Sequence, residues 1–258
     1  MITVHPTAIV SSKAKIGDNV TIGPFVVVED DVEIGEGTTI QSSAVIYNGA
    51  RLGKNVKIFQ GASVSNIPQD ISFANEYSIF EVGDNTTIRE FVTLHRGTVS
   101  TGMSKIGKNC LLMAYTHVAH DTILGDNVIL ANAVQVAGHV EIHDYAIIGG
   151  MTPVHQFCKV GAHSMTGGGF RITQDLPPFM LASDEPLQFH GLNIIGLRRR
   201  GFSNDDIMLL KKAFGYLYSK SLNVSQAKTK IIEEMGDNEN IKTLLKFLEN
   251  SKRGLIGK

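Results

Sequence analysis

The chain has 258 residues, a formal net charge of −1 from 24 Lys plus Arg and 25 Asp plus Glu, and only two cysteines. The balanced charge argues against nucleic acid as the main partner, and the few cysteines argue against a disulfide framework. No apolar run approaches the roughly 18 residues that cross a bilayer, and the first ten residues do not resemble a signal peptide. We therefore expect a soluble cytoplasmic protein with no membrane span.

An aliphatic residue recurs every six residues from Val4 to Val160. Of the 27 positions in this series, 24 are Ile, Leu or Val. The residue two positions earlier is small or β-branched, and the residue that follows is often glycine, where we expect a side chain to crowd a tight corner. Short strands that turn every six residues close a three-sided coil of 18 residues, and stacked coils pair each strand with the next coil. The period predicts a parallel β-helix.

The six-residue series fails only at Asp70, Glu76 and Ser100. These failures predict two loop excursions from the β-helix, near residues 66–78 and 96–104. Long excursions from a rigid scaffold are usually functional or tolerated insertions. We favour a functional role for both.

The repeat ends after about residue 173, and the remaining sequence has a helical character. Residues 175–186 contain paired prolines and are predicted to be an irregular linker. Ser203 followed by Asp206 is typical of a helix start, and two further helical segments follow, the first of which stops at Gly236. We therefore predict a β-helix domain over 1–186 and a small helical domain over 187–258.

Histidines cluster in the second half of the repeat. Residues 18 apart lie above one another on one wall, so His120 is predicted to lie below Gly138 and Gly138 below Gln156. His139 and His155 flank this column. A glycine beside a histidine leaves a backbone N–H open to a ligand, which suits an oxyanion. The six clustered histidines are His117, His120, His139, His143, His155 and His163.

Two uses of such a cluster compete. One histidine alone is more often a surface or structural side chain, but several imidazoles together favour acid–base chemistry. Three imidazoles can also hold Zn²⁺, with ligands drawn from His117, His120, His139 and His155, as in some hexapeptide-repeat carbonic anhydrases. We favour acid–base chemistry. Cys110 and Cys158 occupy the small-residue positions of the repeat, so we expect them in the core.

The segments "THVAHD", "GGMTPVHQF" and "GLRRRGFS" carry a specific resemblance. From Val4 to the C-terminus the sequence resembles the cytoplasmic UDP-N-acetylglucosamine 3-O-acyltransferases of lipid A biosynthesis. The resemblance implies a left-handed β-helix and a homotrimer with active sites between subunits. It implies transfer of a long 3-hydroxyacyl chain from acyl carrier protein to the 3-hydroxyl of UDP-N-acetylglucosamine, and no cofactor or metal.

The resemblance also implies catalytic roles for three residues. His120 would be the general base that takes the proton of the sugar 3-hydroxyl. Asp121 would orient His120, as a carboxylate does for a catalytic imidazole. The Gly138 N–H would stabilise the oxyanion. Neighbours in an extended strand point to opposite faces, so His120 and Asp121 require a corner between them.

The remaining site residues follow from the same resemblance. His117, His139, His155 and Gln156 would bind the sugar and acyl groups, Asp70 would reach the sugar, and Gly168 would leave a deep pocket for the acyl chain. The uridine diphosphate would contact Asn193, Arg199 and Arg200. Basic residues of the helical tail could receive the acidic carrier protein: Lys242, Lys246, Lys252, Arg253 and Lys258.

Two positions depart from the family pattern. Ser72 replaces a lysine after Asp70, and Ile195 replaces an acidic residue after Asn193. The nucleotide contacts are therefore expected to differ, and a diamino-sugar acceptor stays open. Three different functions stay open as well: an acetyl-CoA-dependent sugar acetyltransferase of the same fold, a metal-dependent hydratase of the carbonic anhydrase type, and a non-catalytic scaffold.

Overall fold

Residues 1–258 are described by a computed structural model in which three parallel sheets form the walls of a prism. Wall 1 contains Thr3–Val4, Thr21–Ile22, Thr39–Ile40, Lys57–Ile58, Thr87–Ile88, Leu111–Leu112, Ile129–Leu130, Ile147–Ile148 and Met165–Thr166. Wall 2 contains Ile9–Val10, Val27–Val28, Val45–Ile46, Ser63–Asn66, Thr93–His95, His117–Val118, Gln135–Val136 and Pro153–Val154. Wall 3 contains Lys15–Ile16, Glu33–Ile34, Ala50–Leu52, Ile79–Val82, Met103–Ile106, Ile123–Leu124, Glu141–Ile142 and Lys159–Val160. The predicted left-handed parallel β-helix is confirmed.

The six-residue period places one aliphatic side chain of each strand inside the prism. Most of the aliphatic series is buried, as Ile58, Leu94 and Val136 illustrate. The small residues two positions earlier are buried too, and both cysteines are free and lie in the core, as predicted. Each wall therefore contributes a stripe of Ile, Leu and Val to one continuous hydrophobic core.

The corners of the prism depend on two positions after each aliphatic residue. At most corners the third residue after it adopts a left-handed backbone conformation, for example Asn19, Phe91 and His163 with φ near 60°. The glycine directly after it is needed for another reason. A Cβ on Gly35 would lie 2.4 Å from the Gly53 carbonyl oxygen of the next coil. The crowding we predicted at glycine thus comes from the neighbouring coil, not from the corner itself.

The excursions are residues 67–78 and 96–102, and both leave wall 2 and enter wall 3. We name each edge of the prism by the walls that meet there. Edge 1 joins walls 1 and 2, edge 2 joins walls 2 and 3, and edge 3 joins walls 3 and 1, so both excursions lie at edge 2. The second excursion is shorter than predicted because Met103–Ile106 is already strand. Both excursions therefore project from the edge that carries residues 119–121 and 137–139.

The segment after residue 173 differs from the predicted linker. Met180–Ser183 pairs with Met165–Thr166 and then with Gln188–Leu192 in an antiparallel hairpin, which extends wall 1. The prediction of an irregular 175–186 is wrong for this strand, since pairing with the sheet overrides the proline-rich local sequence. The hairpin spans the boundary predicted at residue 186, and the division into two domains stays a prediction.

Four helices follow the hairpin, one more than the sequence predicts. Helix α1 (Ile194–Arg199) is capped by Asn193 and is too short to show a periodic pattern. Helix α2 (Asn204–Leu217) has the predicted start, a capping box between Ser203 and Asp206. Helices α3 (Val224–Met235) and α4 (Glu239–Asn250) complete the group, and Gly236 ends α3 as predicted. No helix has the length and apolar character needed to cross a membrane.

A buried carboxylate fastens the C-terminal tail to the prism. Asp175 is fully buried, and its Oδ1 accepts the Lys159 N–H at 2.7 Å. Its Oδ2 accepts the Ser251 hydroxyl at 2.7 Å and the N–H groups of Lys252 and Arg253 at 2.9 and 3.1 Å. These bonds hold the C-terminal tail against the end of the prism, next to the last wall 3 strand, Lys159–Val160.

Candidate active site

His120 and Asp121 form a hydrogen-bonded pair at edge 2. Nδ1 of His120 lies 2.7 Å from Oδ2 of Asp121. Asp121 is the left-handed residue of its corner, with φ of 57°, so both side chains reach the same side of the chain. The structure thus supplies the corner that the pair requires. The His120 side chain is 16% exposed and that of Asp121 is 0% exposed.

The Asp121 carboxylate is ionised and fully hydrogen-bonded. It accepts the Thr98 N–H at 3.0 Å, the Thr98 hydroxyl at 2.8 Å and the Thr101 hydroxyl. Burial raises the pKa of Asp121, but the hydrogen bonds from Thr101, His120 and Thr98 outweigh it and hold that pKa at about 2. A carboxylate that accepts from Nδ1 leaves Nε2 of His120 free to accept a proton.

Gly138 lies directly against the His120 ring, as the 18-residue arithmetic predicts. A Cβ built on Gly138 would lie 2.8 Å from Cε1 and 2.9 Å from Nε2 of His120. Only glycine therefore fits here without displacing the imidazole. The Gly138 N–H has no hydrogen-bond partner within the fold, while its carbonyl accepts the Phe157 N–H at 3.2 Å. The open backbone N–H thus belongs to the residue that packs against Nε2 of His120.

His139 packs beside this pair. Its Nε2 lies 3.7 Å from Oδ2 of Asp121, and its ring meets that of His120 edge-on at 5.3 Å. The ring of Phe157 stacks on its other side at 4.7 Å between centroids. His139 and Phe157 are consecutive left-handed corner residues of edge 2, which explains why their side chains stack.

His117 lies on wall 2 beside His120 and is held in its neutral form. Its Nδ1 lies 2.8 Å from the Thr93 hydroxyl one coil away, and the His95 ring lies 5.1 Å from its own. Burial first, and then the neighbouring His95 and His120, lower the pKa of His117 to about 4. A neutral imidazole in this position can form hydrogen bonds with a substrate without adding charge.

Asp70 brings the first excursion to the other side of His120. Its Oδ2 lies 3.9 Å from Nε2 of His120. Its Oδ1 accepts the backbone N–H and the hydroxyl of Ser72 at 2.9 and 2.8 Å, and these bonds lower the pKa of Asp70 below its usual value. Ser72, which replaces the lysine of the family pattern, therefore holds the Asp70 carboxylate in place.

A cavity of about 470 Å³ opens on wall 2 next to this cluster. Its apolar floor is formed by Val136, Ala137, Pro153, Val154 and Ile172, and its polar rim by His117, Gln135, His155, Gln156, Arg171 and Thr173. Nδ1 of His155 lies 3.2 Å from a guanidinium nitrogen of Arg253 in the fastened tail. The apolar floor and polar rim suit a ligand with a hydrocarbon part and a polar part.

Comparisons with known proteins agree on one family. Residues 175–256 match the family model described as UDP N-acetylglucosamine O-acyltransferase, domain 2, and residues 13–48 and 103–135 match the bacterial transferase hexapeptide model. The chain is 50% identical over 257 residues to the acyl-[acyl-carrier-protein]–UDP-N-acetylglucosamine O-acyltransferase of Thiobacillus denitrificans, covering 99% of this chain and 100% of that one. The chain belongs to this acyltransferase family.

Solved structures of UDP-N-acetylglucosamine O-acyltransferases have the same fold as this acyltransferase. The protein from Bacteroides fragilis is 44% identical and superposes with a TM-score of 0.96, covering 98% of this chain and 100% of that one. The protein from Acinetobacter baumannii is 42% identical, with a TM-score of 0.96, covering 98% and 99%. The resemblance indicated by the sequence motifs is therefore confirmed.

The predicted nucleotide residues of this acyltransferase lie elsewhere in the chain. Asn193 caps α1: its Oδ1 accepts the Gly196 N–H at 3.2 Å and its Nδ2 donates to the His163 carbonyl at 3.0 Å. Arg200 donates to the Tyr145 carbonyl at 3.0 Å. His163 and Tyr145 are corner residues of edge 3, so these groups do not join His120 at edge 2 within one chain.

Two further predicted residues are exposed. Arg199 is exposed on the last turn of α1. Gly168 is exposed at edge 1, two residues after the wall 1 strand Met165–Thr166. A Cβ on Gly168 would lie 2.9 Å from the Gly150 carbonyl oxygen. Their roles in nucleotide and acyl binding stay predictions.

The geometry around Asp121 favours a hydrogen-bonded pair over a shared metal ion. Potential ligand atoms of His120, Asp121 and His139 all lie within 4.8 Å of one another. Two ligand atoms of one tetrahedral Zn²⁺ are separated by about 3.3 Å. Nδ1 of His120 and Oδ2 of Asp121 are only 2.7 Å apart, the distance of a charge-assisted hydrogen bond.

Sequence reasoning missed the groups that hold the pair. Thr98 and Thr101 lie in the second excursion and donate to the Asp121 carboxylate. A signal for the threonines was present, because the excursion follows the strand that contains Leu94, which belongs to the same repeat series and the same wall as Val118. That shared wall places residues 96–102 one coil from His120.

Proposed function

We propose that this chain transfers a long 3-hydroxyacyl group from acyl carrier protein to the 3-hydroxyl of UDP-N-acetylglucosamine, the first step of lipid A biosynthesis, in the cytoplasm. The observation that carries the mechanism is the His120–Asp121 pair beside the open N–H of Gly138. This arrangement combines a general base with an oxyanion donor next to a cavity that has an apolar floor.

The reaction follows from the protonation states at the site. Nδ1–H of His120 donates to the Asp121 carboxylate, so Nε2 accepts the proton of the sugar 3-hydroxyl as that oxygen attacks the thioester carbonyl. The carbonyl oxygen becomes an oxyanion that accepts the Gly138 N–H. The tetrahedral intermediate then expels the thiolate of the carrier protein's prosthetic arm, which takes the proton from His120 Nε2. The products are the sugar ester and the free thiol, and no cofactor or metal takes part.

The surrounding residues suit the two substrates. The acyl chain would lie on the apolar floor of the cavity, and His117, His155 and Gln156 on its rim would hydrogen-bond the sugar and the acyl hydroxyl. His139 would contact the sugar beside His120. Asp70, 3.9 Å from Nε2 of His120, would hold a sugar hydroxyl next to the base. Gly168 would leave space for the end of a long chain.

We also propose that the active enzyme is a homotrimer in which a neighbouring copy completes each site. Asn193, Arg199 and Arg200 belong to α1 and its ends, near edge 3, whereas His120 lies at edge 2. One chain therefore does not bring its nucleotide residues to its own base. Parallel packing of prisms would set edge 3 of one copy against edge 2 of the next. Basic residues of the helical tail would receive the acidic carrier protein.

A panel of donors and acceptors tests this function. The purified protein is given a 3-hydroxyacyl carrier protein or acetyl-CoA as donor, and UDP-N-acetylglucosamine or its 3-amino analogue as acceptor, with and without a metal chelator. The proposal predicts transfer from the carrier protein to UDP-N-acetylglucosamine that the chelator leaves unchanged. Acetyl transfer alone would indicate an acetyl-CoA-dependent acetyltransferase, and preference for the amino acceptor would replace the proposed acceptor.

A further inference from the structure

The second excursion contacts the candidate catalytic pair through two threonines. Thr93 pairs with His117, so residues 96–102 leave the coil directly next to that of His120. Thr98 is buried and donates both its N–H and its hydroxyl to the Asp121 carboxylate, at 3.0 and 2.8 Å. The exposed Thr101 donates its hydroxyl to the same carboxylate. The excursion thus supplies three of the four hydrogen bonds that Asp121 receives.

The pattern of these bonds fixes the plane of the carboxylate. Oδ1 accepts the Thr98 N–H and the Thr101 hydroxyl, while Oδ2 accepts the Thr98 hydroxyl and Nδ1–H of His120. The Thr101 hydroxyl also lies 2.8 Å from the Met103 carbonyl oxygen, but the charged carboxylate is the stronger acceptor. With donors on both oxygens, the carboxylate cannot rotate without losing hydrogen bonds.

We propose that Thr98 and Thr101 are positioning residues for acyl transfer, which hold the Asp121 carboxylate in the one orientation that aims Nε2 of His120 at the acceptor hydroxyl. This inference rests on the proposed function, in which His120 is the base. It gives the second excursion a specific task, because three of the four hydrogen bonds to the Asp121 carboxylate come from its two threonines.

The first excursion is tied to the same support. The Glu76 carboxylate accepts the Val99 N–H at 2.9 Å and the Ala74 N–H at 2.8 Å, so it joins the two excursions next to Thr98. Asp70 belongs to the first excursion and approaches Nε2 of His120. Both nitrogens of the imidazole are therefore faced by carboxylates that the excursions hold in place.

The groups around the pair show what the threonines hold in place. His120 is faced by Asp121 and Asp70, and it also adjoins His139, His117 and the buried His95. Removal of either threonine hydroxyl leaves one Asp121 oxygen with a single hydrogen bond, so the carboxylate can rotate and turn the imidazole away from the acceptor hydroxyl. The loss should therefore fall on kcat rather than on KM.

Valine and serine substitutions test the proposal. Thr101→Val and Thr98→Val are expected to lower kcat about tenfold each, with both KM values within about twofold. Thr101→Ser and Thr98→Ser keep the hydroxyl and should retain most of the activity. Ser100→Ala is the matched control, since the exposed Ser100 side chain does not contact Asp121. The loss of kcat should appear in the valine variants only.

Thr101 gives the decisive result because it is exposed and its substitution leaves the core intact. Wild-type kcat in Thr101→Val would overturn the proposal, and so would an equal loss of kcat in the serine and valine variants. Thermal unfolding of each variant separates misfolding from misalignment. If His120→Asn itself retained activity, the proposed base would be wrong, and that result is distinct from a failure of the threonines alone.

Discussion

Replacement of Gly138 by alanine is predicted to displace the base without unfolding the protein. The added Cβ would lie 2.8 Å from Cε1 of His120, whereas an ordinary contact begins at about 3.4 Å. The imidazole must therefore move by about 0.6 Å or more. Gly138 does not have a positive φ, so alanine adds no backbone strain. The stability of the fold should be close to that of the wild type.

The expected cost falls on catalysis. A misplacement on the order of 1 Å can cost about hundredfold in rate, so Gly138→Ala should lower kcat by between about tenfold and hundredfold. The assay is transfer of a 3-hydroxyacyl group from carrier protein to UDP-N-acetylglucosamine, with thermal unfolding measured in parallel. Alanine keeps the backbone N–H, so the loss reports the position of His120 rather than loss of the oxyanion donor.

Gly215→Ala is the matched control for this prediction. Gly215 lies within α2, and a Cβ there would meet nothing within 4 Å. Alanine at this position should leave kcat unchanged and stabilise the helix by up to about 1 kcal/mol. Full activity in Gly138→Ala, with a normal unfolding temperature, would refute the contact between Gly138 and His120 as a determinant of catalysis.

Two further predictions concern stability. Burial lowers the pKa of His163 to about 4. Between about pH 6.5 and 4 the unfolded chain therefore binds a proton at this histidine, whereas the folded chain does not. The free energy of unfolding should fall as the pH drops through this window. His163→Phe should weaken that dependence in thermal unfolding at stepped pH, and an unchanged slope would contradict it. Asp175→Ala leaves four hydrogen-bond donors without their acceptor. It should therefore lower the free energy of unfolding, measured by urea titration, by about 3 kcal/mol, and Asp175→Asn should lower it less. A loss below about 1 kcal/mol for Asp175→Ala would contradict the role of the buried carboxylate.

The walls of the prism could be predicted from sequence because each aliphatic residue fills a repeated position. Ile58, Leu94 and Val136 occupy equivalent slots in different coils, and the same arithmetic placed Gly138 against His120. Periodicity is a strong signal when every unit has the same geometry. It also located both excursions, since the series resumes in phase after each of them.

The conformations of the excursions could not be predicted in this way. Thr98 and Thr101 reach Asp121 through a chain path that no repeat governs. The strand Met180–Ser183 was missed because it exists by pairing with wall 1, a tertiary contact that its local sequence does not indicate. Helix α1 was missed because six residues are too few for a helical pattern to emerge.

The corners show a second limit. Asp121, His139 and Phe157 hold a left-handed backbone, which aspartate and histidine adopt more often than most residues but a bulky phenylalanine rarely does. The residue type is therefore a weak sign of this conformation at Asp121 and His139 and no sign of it at Phe157. The same conformation recurs at most corners of the prism. It is this conformation that brings Asp121 to the same side as His120 and stacks His139 on Phe157.

The rate of acyl transfer by His120→Asn tests most directly whether His120 is the general base. Asparagine keeps a polar side chain beside Asp121 but offers no basic nitrogen. If His120 is the general base, kcat should fall at least about hundredfold in a variant that unfolds at the wild-type temperature. A folded His120→Asn variant that transfers the 3-hydroxyacyl group within about tenfold of the wild-type rate would contradict the account.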